Sequence, residues 1–292
     1  MTTQIASQSV SHMQAKAAPQ NAAPLNTTLL DDMALNMARQ SLYRFAALAL
    51  LDPRFGAWQR LESLRSDPLL SDAAGIVRET EMARASELSI GELALEQLDP
   101  AQVWEHFPDS EAQLNTQYER TFGLLVSAAC PPYETEYINS KYTFQRSQTL
   151  ADVSGYYRAF GLTTSSTSAE RSDHIVLELE FMAFLLGKER QAFESCEMAD
   201  RQTHIDTCRR AQRRFLSEHL ATWASLFAKL VQRENPGGFY EAAGSFLAAL
   251  IPAERGLLGV AASDRRPDAP SQIEPLDACD GCQLLGDPQL GT

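Results

Sequence analysis

The chain has 292 residues, 44% of them hydrophobic and 22% charged, an ordinary balance for a soluble globular protein of one large or two small domains. Its formal charge of −13 argues against a general nucleic-acid binder, because phosphate contacts need a basic face. No apolar run is long enough to span a bilayer, and five cysteines, an odd number, do not read as a disulfide framework but suit a reducing compartment.

Residues 1–27 are rich in Ser, Thr, Gln, Ala and Asn and read as a disordered lead. With one Lys among the first 38 positions and no compact apolar core, they do not read as a secretory signal. From Leu29 the apolar residues recur at helical spacing through Met33, Met37, Leu42, Phe45, Leu48 and Leu51, and Asp52-Pro53 ends that helix. Shorter helical patterns follow at 54–65, 68–88 and 92–98, with Leu64, Leu69, Leu70, Ile76 and Val77 expected in the core. A helix over 111–122 carries Leu114, Tyr118 and Phe122 four apart.

The pattern then breaks at Cys130-Pro131-Pro132-Tyr133-Glu134-Thr135-Glu136-Tyr137, where two prolines enforce an extended connector that ends in an aromatic–acidic group. A helix over 146–160 follows, closed by Gly161, and then a polar loop at 163–168. Thr167 with Glu170 fits a capping box, although the next helix could equally start at Ser172. That helix, from Ile175 to about Arg190, is apolar nearly all round and belongs in the middle of the protein. Helices over 199–217 and 218–234, a turn at Asn235-Pro236-Gly237-Gly238, and a last helix from Phe239 to near Ile251-Pro252 complete the pattern. The reading is all-α: one domain of roughly ten helices at 28–254, with a flexible tail at 255–292.

Few features point to catalysis. The sequence holds no glycine-rich phosphate loop, no Gly-x-Ser-x-Gly elbow and no His-Glu-x-x-His pair, so an enzyme is not expected. Cys279 and Cys282 have the Cys-x-x-Cys spacing of a zinc clasp but supply only two ligands; Cys196, Asp200, His204 and Cys208 make a four-spaced stripe that could join them. Arg209, Arg210, Arg213 and Arg214 read first as a solvated face neutralised by acids such as Glu218, with an anion or nucleotide site as the sharper alternative.

The mixed group is more informative. Glu170 and Asp173 alone would be acids placed to favour a helix N-terminus. The adjacent Asp173-His174 followed by Glu178 and Glu180, charges on a helix too apolar to hold them unpaired, points to a site. With Tyr133, Glu134, Glu136 and Tyr137 on the rigid arm, it would suit a peptide whose apolar side chains enter a groove and whose Arg or Lys meet carboxylates.

Three motifs carry a resemblance. Glu170, Asp173 and His174 match a Glu-x-x-Asp-His element, with Ser172 where Pro is common. Tyr118-Glu119-Arg120-Thr121-Phe122 approximates an aromatic followed by Leu-Phe, with Thr for Leu, and Pro131-Pro132-Tyr133-Glu134-Thr135 stands for Pro-Pro-Tyr-Glu-Ser. Over residues 28–252 the chain resembles the TorD/NarJ-like chaperones that mature molybdenum-containing redox enzymes. The resemblance implies an all-helical cytoplasmic chaperone without a cofactor of its own. Its partner would be the catalytic subunit of a molybdenum-dependent enzyme, bound by its N-terminal leader, often a twin-arginine signal, until the molybdenum cofactor is inserted.

Tyr133, Glu134, Glu136, Tyr137, Glu170, Asp173, His174 and Glu178 would then form the client-peptide site. The chain would be a monomer or a domain-swapped homodimer hinged at 162–169. The alternative from another class is a metal or cofactor carrier using Cys279 and Cys282. On the groove reading, Asp173→Ala or His174→Ala is expected to weaken client binding more than folding.

Overall fold

Asp52 ends the first helix, α1 (Thr27–Leu50), and its side chain accepts the Arg54 N–H at 2.9 Å to open a short 3-10 turn through Pro53. The computed structural model describes residues 27–85, 87–123, 129–137, 143–163, 170–195 and 198–262. After α1 come α2 (Ala57–Arg65), α3 (Leu69–Glu79), α4 (Pro100–Glu105), α5 (Glu111–Phe122) and α6 (Thr143–Ala159). Then follow α7 (Ile175–Ser195), α8 (Met198–Phe215), α9 (Ala221–Glu234) and α10 (Phe239–Leu258). No strand occurs among the described residues; one isolated antiparallel bridge joins Tyr133 to His174. The all-α expectation holds.

The nearly apolar α7 lies centrally, packed between α1 and α8, while α10 packs along α9. Leu179, Phe181, Met182, Leu185 and Leu186 of α7 join Leu42, Phe45, Phe215, Phe227 and Phe246 in one continuous core. Where α1 crosses α7, Gly187 leaves room for Gln40, whose Nε2 donates to the Ala183 carbonyl at 2.9 Å.

Several boundaries differ from the sequence reading. The pattern over 68–88 stops at Glu79 because Thr80 turns extended, and Leu69 and Ile76, expected in the core, face solvent. The expected helix over 92–98 is only a 3-10 turn at Leu95–Gln97. The short α4 adds a helix the sequence reading omits, started by Pro100 and capped by the Asp99 side chain. The expected separate helices on either side of residue 217 run as one rod through a π turn at Leu216–Leu220.

Pro252 does not end the last helix. A proline there leaves the carbonyl of Ala248 without its helical donor, and the Leu93 N–H takes it at 2.9 Å. The helix therefore continues to Leu258, and Arg255, read as the first residue of a tail, is buried against Glu92.

Candidate functional site

The Pro131-Pro132 arm docks on the start of α7, and backbone chemistry explains why. A helix N-terminus has orphan N–H donors, and an extended proline arm has carbonyls with no donors beside them. The Ile175 N–H donates to the Pro132 carbonyl at 2.9 Å, and the Glu134 N–H returns a bond to the Asp173 carbonyl at 3.0 Å. The next N–H, of Val176, is accepted by Nδ1 of His174 at 3.2 Å, which makes the histidine the side-chain cap of α7. α7 begins at Ile175, and Thr167 of the expected capping box lies outside the described residues.

Asp173 fastens the two segments from within. Fully buried, its carboxylate accepts the Thr135 N–H at 3.2 Å, the Thr135 hydroxyl at 2.8 Å and the Arg171 guanidinium at 2.7 and 3.0 Å. Arg171 is half-exposed, lies over the Tyr133 ring at 4.3 Å and reaches Glu136 at 3.6 Å. Arg146 of α6 approaches Glu136 from the other side at 3.4 Å. The Tyr133 hydroxyl donates to Glu170 at 2.7 Å, and burial followed by that hydrogen bond raises its pKa. Ser172, standing where the family pattern has Pro, is held by the Ser154 hydroxyl at 2.8 Å, and its carbonyl accepts the Tyr157 hydroxyl at 2.8 Å. Hydrogen bonds to α6 thus supply the rigidity that a proline ring would give.

Beneath this layer runs a second, fully enclosed one. Nδ1 of His219 lies 3.0 and 3.1 Å from the two oxygens of Glu134, and the Trp223 indole N–H donates to Glu178 at 3.2 Å. Burial, then the Glu134 charge, pushes Glu178 well above the ordinary carboxyl range. Burial also raises Glu134, opposed by the hydrogen bond and charge of His219. Tyr137 is buried too, its hydroxyl donating to the Pro131 carbonyl at 2.9 Å.

The eight expected site residues are thus brought together but at two depths. Tyr133, Glu136 and Glu170 are half-buried and reachable, whereas Glu134, Tyr137, Asp173, His174 and Glu178 belong to the buried frame. Glu180 takes no part; the charges nearest its carboxyl are Arg44 and Arg60. His219 escapes the sequence reading, although its four-residue spacing with Phe215 and Trp223 marks it as inward-facing. Cys279, Cys282 and Cys196 lie outside the described residues. No metal-holding group of three His, Cys, Asp or Glu occurs among the described residues. Of the cysteine stripe, Cys208 is turned inward with its thiol pushed up to about 11 by burial, while His204 is exposed.

His174 gives the frame a pH signature. Burial lowers its pKa to about 4, against nearby Glu170 and Asp173, which raise it, and Arg171, which lowers it further. The unfolded histidine binds a proton below about pH 6.5 and the folded one does not, so its stabilising contribution is complete above that value. It is lost as pH falls, by roughly 2 kcal/mol at pH 5 and 3 kcal/mol at pH 4. Asn at this position keeps an acceptor for the Val176 N–H and does not titrate. Urea titrations from pH 7 to 5 are expected to show the wild type losing that much stability relative to His174→Asn. Parallel profiles would mean that His174 is not held neutral. The raised carboxyls of Glu134 and Glu178 act in the opposite sense in both proteins and cancel in the comparison.

Comparison with known proteins bears on this arrangement. The family model described as nitrate reductase delta subunit matches residues 88–229, which include the arm, the start of α7 and His219. The chain is 30% identical over 219 residues to the perchlorate reductase assembly chaperone protein of Dechloromonas aromatica, covering 74% of this chain and 89% of that one. It belongs to the TorD/NarJ-like family of molybdoenzyme assembly chaperones. A selenate reductase assembly chaperone protein of Thauera selenatis is 33% identical over 110 residues, 38% of this chain and 53% of that one. The chaperone protein TorD of Aliivibrio salmonicida is 24% identical over 143 residues, 49% and 63% of the two chains. No solved structure matches. These relatives are chaperones by name. No helix among the described residues is long and apolar enough to cross a membrane.

Proposed function

We propose that this TorD/NarJ-like chain is a cytoplasmic, system-specific chaperone for the catalytic subunit of a molybdenum-dependent oxidoreductase. It binds the subunit's N-terminal leader and holds it for cofactor insertion and assembly. The observation that supports this best is the surface at the arm. There an aromatic face, Tyr133, and a reachable carboxylate, Glu136, already seat the guanidinium of Arg171, and a second reachable carboxylate, Glu170, accepts the Tyr133 hydroxyl beside them. A guanidinium between a ring and carboxylates is the chemistry that a client arginine would need. Glu134, Asp173, His174 and Glu178 act as positioning residues that hold that surface in place.

The test begins with capture of partners by the tagged chain from the cytoplasm of its source, identified by mass spectrometry. A large molybdoenzyme subunit carrying its uncleaved leader is the expected partner; its absence overturns the reading. Anisotropy with the labelled leader peptide then locates the contact. Glu136→Gln combined with Glu170→Gln is expected to weaken binding at least about tenfold, as loss of charge-assisted hydrogen bonds does. Unchanged affinity would place the client elsewhere on the protein.

A further inference from the structure

The opposite chemistry occurs away from the arm. Between α1, α8 and the end of α10 lies a cleft of about 520 Å³, lined by Leu35, Met82, Leu257 and Leu258 and by Arg209, Arg210, Arg213 and one carboxylate, Asp32. Its charges are unequally neutralised. Buried Arg39 at its base pairs with Glu254 at 2.7 Å, and Arg209 pairs with Glu189 at 2.6 Å and lies 3.8 Å from Asp32. Arg213 donates to the Gly259 carbonyl at 2.7 Å, a neutral partner. Arg210 is exposed, and neither it nor Arg213 has a carboxylate partner among the described residues. In a chain of net charge −13, this is a local cationic excess beside aliphatic walls.

We propose that this cleft is a second binding site, for an acidic peptide with aliphatic side chains, and that its occupant is segment 267–292 of this same chain. Two observations select that occupant. The first is complementarity: the segment carries Asp268, Glu274, Asp277, Asp280 and Asp287 with no Lys or Arg, interspersed with aliphatic residues such as Leu276 and Leu284. The second is continuity. Leu257 and Leu258 are themselves wall residues, Gly259 is bound to Arg213, and the described chain ends at Ala262, four residues beyond that wall. Tethering this close raises its effective concentration far above that of a free competitor. This rests on observations independent of the client site, and either reading can fail alone.

Full-length chains with a reporter cysteine test it. Met82→Cys places a thiol in the cleft wall, and Phe144→Cys places an equally exposed one on α6. Under a mild thiol oxidant, Met82→Cys is expected to form an intrachain disulfide with Cys279 or Cys282, located by peptide mapping. The yield should fall several-fold when Arg210→Glu is added and in high salt, which screens exposed charges. Arg210→Glu changes an exposed side chain, and an unaltered circular dichroism melt verifies its fold. Equal yields at both reporter positions, or indifference to Arg210→Glu, overturn the proposal. A disulfide between copies overturns it as well, by making a second chain the occupant.

Discussion

Glu92→Ala is expected to destabilise the protein by about 3–5 kcal/mol, the range for breaking a buried ion pair from one side. Arg255 and Glu92 are both almost wholly buried and joined at 2.5 and 2.8 Å. The same guanidinium donates to the Glu87 carbonyl at 2.8 Å, and Glu92 also accepts the Ser89 N–H at 2.6 Å. The pair thus clamps the segment before α4 onto the last turns of α10. Removing the carboxylate strands a cation where water cannot replace its partner. Replacing both residues, as Glu92→Leu with Arg255→Met, removes the charge and the vacancy together and is expected to recover most of the loss. Chemical denaturation of the two variants decides the matter. A loss below about 1 kcal/mol for Glu92→Ala would show the pair to be solvent-screened, as surface pairs are.

That clamp also shows where the sequence misleads. Proline marks a helix end because it removes a donor and crowds the preceding turn, and nothing near Pro252 in the sequence reveals that Leu93 satisfies the freed carbonyl. The long periodic helices were legible, since a dozen or more residues of regular spacing leave little ambiguity: α5 over 111–122 is found at those limits. A six-residue helix such as α4 offers too few turns for a period, and its cap and proline are the available local signals. The helical pattern over 68–88 puts Leu69 and Ile76 in the core, but the face they occupy depends on how α3 sits against α1.

At the site, the motif residues were legible as a group because carboxylates on an apolar helix need partners. Their depth was not. Glu178 and Glu134 resemble Glu136 in sequence, yet the first two are enclosed, which only the docking of the arm onto α7 determines. His219 was hidden for a related reason. The π turn before α9 brings it under the arm, 85 positions along the chain from its partner Glu134.

Depth reverses the sequence-based expectation for Asp173. An exposed acid at a helix end contributes only a few tenths of a kcal/mol to about 1 kcal/mol, so its loss should spare folding. Asp173 is instead buried and accepts from the Thr135 backbone, the Thr135 hydroxyl and Arg171, and alanine would leave buried donors without acceptors at about 1–3 kcal/mol each. Asp173→Ala is therefore expected to cost about 3 kcal/mol of stability and to release the arm from α7. On the proposed function, leader binding is lost with it. Glu136, half-buried and bridging two arginines across 3.4 and 3.6 Å, behaves differently. Its neutralisation to Gln should change stability by less than about 0.5 kcal/mol, as surface substitutions do, while weakening the leader. Melting curves and peptide titrations on both variants separate the roles. If Asp173→Ala kept wild-type stability and lost only the peptide, Asp173 would be a contact residue and the buried frame would not govern the site. If Glu136→Gln unfolded the protein, the surface carboxylate would be structural and the arm could not be read as a client-facing surface.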